Sequence, residues 1–170
     1  LAQAEALFHG GRLAAALTTA QTGADSTEAL VRELPHLPGL TTTLGQLHLL
    51  IGRVQQARGS HAEARQSLEA ARALLGPLHE ADPGHLRWLV LLGYCYLHAA
   101  RVERSEGQES AARAALARAE ALTADIRSDS LLTARDARAQ ILLEAMGWHE
   151  DLDHRDFAAL ARRAGFLPDR

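Results

Sequence analysis

RGSHAEARQSLEAARALL, residues 58–75, is answered by EGQESAARAALARAEALT, residues 106–123. Laid over one another, the phrases pair Gly59 with Gly107, Ala64 with Ala112, Arg65 with Arg113 and Leu68 with Leu116, all at an interval of 48 residues. Ala71 with Ala119, Ala73 with Ala121 and Leu74 with Leu122 follow at the same interval. In each phrase a Gly is followed five residues on by Ala, then by a large apolar residue four later and Ala three after that. Residues three and four apart share one side of a helix, so the alanines mark where a neighbouring helix can come close. The interval also reaches backward: Gly11 with Ala16 precedes Gly59 with Ala64, and Pro35 precedes Pro83. One supersecondary unit is therefore written more than once in this chain.

Composition agrees with a helical reading. Ala and Leu dominate, only seven of 170 residues are aromatic, and 47% are hydrophobic against 23% charged. That balance supplies a real core and favours close-packed helices over sheets. A net charge of −3 and a pI near 6.3 give no overall attraction to nucleic acid or anionic lipid. All 18 basic residues are Arg, which closes mechanisms needing a Schiff-base or P-loop lysine. The lone Cys95 forms no internal disulfide, so packing alone holds the fold. Neither residues 34–52 nor residues 88–100 read as a bilayer span, and no signal peptide is visible. Together these predict a cytoplasmic chain, or alternatively the periplasmic portion of a membrane-anchored protein. The opening at Leu1, already in a helical pattern, predicts a piece of a larger protein.

Along the chain, the pattern predicts a truncated helix over 2–9, a partner over 12–21, and a short helix over 27–34 capped by Ser26. Prolines 35 and 38 end it. A long helix follows over 40–58, with Leu40, Leu44, Leu47, Ile51 and Val54 at three- and four-residue spacing. Its partner runs over 61–75 and bends on past Gly76 and Pro77. Asp82 as N-cap and Pro83 in the first turn start a helix to Ser105. Helices over 109–127, 130–146 and 153–164 complete the series, the last capped by Asp153. The predicted units are 1–34, 35–82 and 83–128, with an atypical hairpin over 129–170.

This pattern resembles the tetratricopeptide repeat family, whose units pair two antiparallel helices with small residues at their inner contacts. The likeness rests on Gly11, Gly59 and Gly107 in the turns, Ala16, Ala64 and Ala112 in the second helices, and the Leu68/Ala71 and Leu116/Ala119 pairs. In the second unit Ile51 and Gly52 supply the large-then-small pair; Ala99 and Ala100 stand there in the third. The family's large aromatics are mostly replaced, with His48 and Gln55 at two such places, and the unit exceeds the usual length of about 34. The resemblance implies an all-α, right-handed solenoid of antiparallel helical hairpins whose first helices line a concave groove. In bacteria such arrays are often attached to kinases, cyclases or transcriptional regulators, and an Arg-only, Ala-rich chain suits a high-GC bacterium.

On those first helices Leu49 and Arg53 correspond to Leu97 and Arg101, with Arg104 further along and Tyr94 on a neighbouring turn. These residues predict an apolar strip edged by guanidinium groups, suited to a carboxylate or phosphate on a peptide; the plainer reading makes both leucines core and the arginines solvated or ion-paired. The expected function is a non-enzymatic module binding a protein or peptide partner, acidic in character, with no cofactor and no nucleic acid or membrane contact. Self-association is the rival within binding proteins, because Leu1 and Phe8 lie on the truncated first helix. From another class, HEDLDH at residues 149–154 crowds two His with three carboxylates and would serve a metal-dependent hydrolase; a helix-capping turn at Asp153 explains the same residues. Cys95 and His98, three apart, could touch as nucleophile and base, although a cysteine amid Leu, Tyr and Val is commonly a small buried hydrophobe. Trp88 and Trp148 are expected to plug junctions between helix pairs.

Overall fold

The computed structural model describes residues 1–124, and within them every regular element is an α-helix. They are α1 (Ala2–His9), α2 (Leu13–Glu33), α3 (Pro38–Ala57), α4 (His61–Ala81), α5 (Leu86–Ser105) and α6 (Glu109–Thr123). The boundaries carry the interval found in the sequence: α2 and α4 begin and end 48 residues apart, as do α3 and α5. Each helix packs on its neighbour in the chain, and α3 also packs on α5. The helices expected beyond residue 124 lie outside the described residues.

The repeated glycine closes α1, α3 and α5 in one way. Gly11, Gly59 and Gly107 hold φ of 72°, 77° and 73°, the left-handed region that L side chains disfavour. The amide after each glycine donates to a carbonyl five residues back: Arg12 to Leu7, Ser60 to Gln55 and Gln108 to Glu103, each at 2.9 Å. The glycine amide itself donates three residues back, to Phe8, Gln56 and Arg104, at 3.0 Å. This pair of bonds is the Schellman closure, which satisfies carbonyls that a helix end otherwise leaves orphaned. The chain can thus turn within three residues and start the next helix.

Two element expectations are corrected. The break expected near residues 22–26 does not occur, because α2 runs unbroken with Ala16, Ala20 and Ala24 buried along one stripe. Ser26 caps nothing: its Oγ donates to the Thr22 carbonyl at 2.9 Å, and Thr22 and Thr27 likewise bond the carbonyls four residues back. Such back-bonding lets hydroxyl residues sit inside a helix whose apolar face is held by packing. Asp82, expected as an N-cap, instead follows the end of α4; Pro83 lies in the turn, and α5 opens at Leu86 behind His85. Helix α4 passes through Pro77 and reaches Ala81.

Packing follows the small-residue seam. Ala16, Ala20, Ala64, Ala71, Ala112 and Ala119 are each fully buried. A close approach joins α3 to α4, where a Cβ built on Gly45 would stand 2.8 Å from Leu75 Cγ and one on Gly52 would stand 2.8 Å from Leu68 Cγ. Leucine fills the space that glycine leaves, an interdigitation dense enough to feel a single methyl group. Trp88 joins α5 to α3: it packs against the core between α4 and α5, stacks on His85 at 3.9 Å, and its Nε1 donates to Thr42 Oγ1 at 2.9 Å. Trp148 lies outside the described residues.

Candidate functional site

The first helices of the repeated pairs, α1, α3 and α5, bring a group of polar and aromatic side chains together around Arg53. Its guanidinium carbon sits 4.9 Å from the Phe8 ring centroid, a cation–π contact between α3 and α1. Its Nε is buried without a hydrogen-bond partner among the described residues. Burial pushes the Arg53 pKa down; Glu5 and then Tyr94 oppose the shift, while Arg101 adds to it. Those couplings place Glu5 of α1 and both Tyr94 and Arg101 of α5 within electrostatic reach of one α3 side chain. Beside them His98, only 8% exposed, has Nδ1 2.9 Å from Gln56 Oε1; since a carbonyl oxygen only accepts, Nδ1 carries the proton. Burial, reinforced by Arg53 and then Arg101, pushes His98 down to about 3. At neutral pH the cluster therefore holds two guanidinium groups next to an uncharged imidazole. A further tie between α5 and α3, besides Trp88 to Thr42, runs from Arg87 to Gln46 at 2.9 Å.

Of the six side chains expected to form the contact surface, Arg53, Tyr94 and Arg101 are half-buried and electrostatically coupled through Arg53. Arg104 is exposed, further toward the C-terminal end of α5. Leu49 and Leu97 do not form the expected apolar strip. Leu49 is 6% exposed within the core between α4 and α5, and Leu97 is fully buried against Ala112 and Leu116. Four residues along a helix rotate a side chain by about 40°, enough to carry Leu into the seam while the longer Arg reaches the flank. The aromatic platform is instead Phe8. Its signal in the sequence is one Phe at the end of an otherwise Ala-rich helix, too short a pattern to assign it an arginine.

The pairing of Cys95 with His98 gives no nucleophile. Cys95 is fully buried, and burial pushes its thiol up to about 12, with Arg72 only partly opposing. Thiolate, the reactive form, is suppressed, and His98 is engaged with Gln56. No group of three or more His, Cys, Asp or Glu fit to hold a metal occurs among the described residues, and HEDLDH lies outside them. No described helix is long and apolar enough to cross a membrane. No family model, curated protein or solved structure matches the chain.

Proposed function

We propose that the chain is a tetratricopeptide-like interaction module whose α1–α3–α5 face binds an acidic segment of a partner protein. The array is read as a right-handed stack of antiparallel helical pairs. Three facts support it: the 48-residue recurrence of helix boundaries, the three matching turns, and the opposite order in which Gly45 meets Leu75 and Gly52 meets Leu68. Packing of α3 on α5 adds the lateral contact that such stacking needs.

The observation that carries the binding role is Arg53, a half-buried cation set on Phe8 with an unpartnered Nε. A partly desolvated guanidinium on a rigid platform gains more from a carboxylate than a fully solvated one, and its planar fork favours bidentate contact. Arg101 adds charge of the same sign nearby. The test is an array of acidic and charge-neutral peptides probed with the wild-type chain and with Arg53→Glu/Arg101→Glu. Acidic peptides should be retained by the wild type and lost on charge reversal, with helicity and melting temperature preserved. Equal retention by both proteins would remove the role given to this face.

Self-association is a second reading, favoured by a different observation. Phe8 is covered by Arg53, so it is not the exposed anchor expected of α1. Leu1, the other residue expected there, is 37% exposed, and among the described residues Leu30, Leu34 and Leu37 add larger apolar exposures, at 45%, 39% and 41%.

A further inference from the structure

On another side of the molecule, α4 and α6 flank α5 and leave a cleft between them. Its larger compartment, about 450 Å³, is lined by residues of all three helices, including Leu92, Tyr96, Arg118 and Leu122; a second of about 300 Å³ adjoins it along Arg72, Tyr96 and Arg118. The larger falls within the range of small-molecule sites. Two cations straddle its aromatic floor, with the guanidinium carbons of Arg72 and Arg118 at 4.9 and 5.9 Å from the Tyr96 ring centroid.

Charge pairing singles out one of them. Arg72 is ion-paired with Glu69, and Arg65, lining the second compartment, with Glu103 and Glu106. Arg118 is exposed and forms no ion pair among the described residues. Two buried polar atoms of residues lining the larger compartment, Arg72 Nε and His79 Nδ1, also have no hydrogen-bond partner among the described residues. The repeat itself argues that this chemistry is not required for packing. One interval earlier, Tyr96, Arg72 and Arg118 are replaced by His48, Ala24 and Ala70, and His79 by Val31. The same helical scaffold is built there without this cationic and aromatic group.

We propose that the α4–α6 cleft binds a small amphiphilic carboxylate, its charged group on Arg118 and its apolar body over Tyr96, Leu92 and Leu122. A carboxylate fits because the Arg118 guanidinium, in no ion pair among the described residues, offers a planar pair of donors to a single negative charge. The apolar body fits because the floor and the α6 wall are ring, Leu and Ala. Glu80 lines the compartment as well and sets the polarity, disfavouring the anion at its own end. The site is separate from the α1–α3–α5 face and does not rest on the role given to that face.

The probe is 4-phenylbutyrate, titrated against the isotope-labelled full chain and followed by amide shifts near Tyr96, Arg118 and Leu122. Saturable one-to-one binding in the millimolar range is expected of a fragment with about a dozen non-hydrogen atoms. The neutral 4-phenylbutanamide should bind at least about tenfold more weakly, and Arg118→Gln should weaken 4-phenylbutyrate by a similar factor. Arg118→Lys should recover part of the loss, and Arg32→Gln, at an exposed position on α2, should leave binding intact. Since Arg118 is exposed, its replacement spares the fold, and an unchanged melting temperature verifies that. Equal binding of acid and amide, indifference to Arg118→Gln, or no saturation by about 10 mM would each overturn the proposal.

Discussion

At the scale of single residues, His98 is the side chain most altered by the fold. Its folded pKa lies near 3 against an ordinary value of 6.5, because burial and two nearby guanidinium groups disfavour the imidazolium. The sign follows from proton binding: between those values the unfolded chain holds a proton that the folded chain excludes. The contribution is complete above pH 6.5 and is lost progressively as pH falls toward 3, at about 1.4 kcal/mol per pH unit. Urea denaturation should therefore show about 2 kcal/mol less stability at pH 5 than at pH 7 from this residue alone. His98→Gln, which remains neutral and can donate to Gln56, should flatten the slope. A slope unchanged by that substitution would place the titration elsewhere. The sequence placed His98 beside Cys95 but gave no sign of Gln56, which lies 42 residues away and is joined to it only by the packing of α5 on α3.

At the scale of helices, the two kinds of glycine make opposite demands. Gly52 sits where an added Cβ would stand 2.8 Å from Leu68 Cγ and 3.3 Å from the Ala64 carbonyl, with Leu68 fully buried and unable to yield easily. Gly52→Ala should cost about 1–3 kcal/mol through overpacking, despite alanine's better helix propensity. Gly59 meets nothing within 4 Å, yet its φ of 77° makes Gly59→Ala cost about 1–2 kcal/mol through backbone strain alone. Trimming Leu68 to Val separates them: it should relieve Gly52→Ala in a double-mutant cycle and leave Gly59→Ala untouched. The turn glycines were legible because left-handed geometry narrows the choice of residue, so their spacing survives in the sequence. Helix starts were less so. Ser26 and Asp82 are good capping residues by type, but Ser26 lies inside a helix whose stripe of buried alanines continues past it, and Asp82 follows the end of another. Local preference near 1 kcal/mol yields to a packed face. The same competition took Leu49 and Leu97 from the expected surface into the core.

At the scale of the whole molecule, packing among the described helices runs mainly between chain neighbours, with α3 also on α5, and a helix at the end of such a series keeps apolar surface that no neighbour covers. Three leucines stand exposed between residues 30 and 37, at the end of α2 and in the connection to α3. One interval later, Leu34 and Leu37 become Asp82 and His85, polar residues in the matching connection, while Leu30 becomes Leu78, which is less exposed. The apolar character there is thus peculiar to the first pair and not a demand of the turn. If self-association uses this end, sedimentation equilibrium should show a concentration-dependent dimer that Leu30→Glu/Leu34→Glu converts to monomer. Because both side chains already face solvent, the change should lower stability by less than about 1 kcal/mol. A monomer at all concentrations would remove the self-association reading while leaving the Arg53 face and the Tyr96 cleft to their own tests. A dimer indifferent to both substitutions would place its interface on another surface.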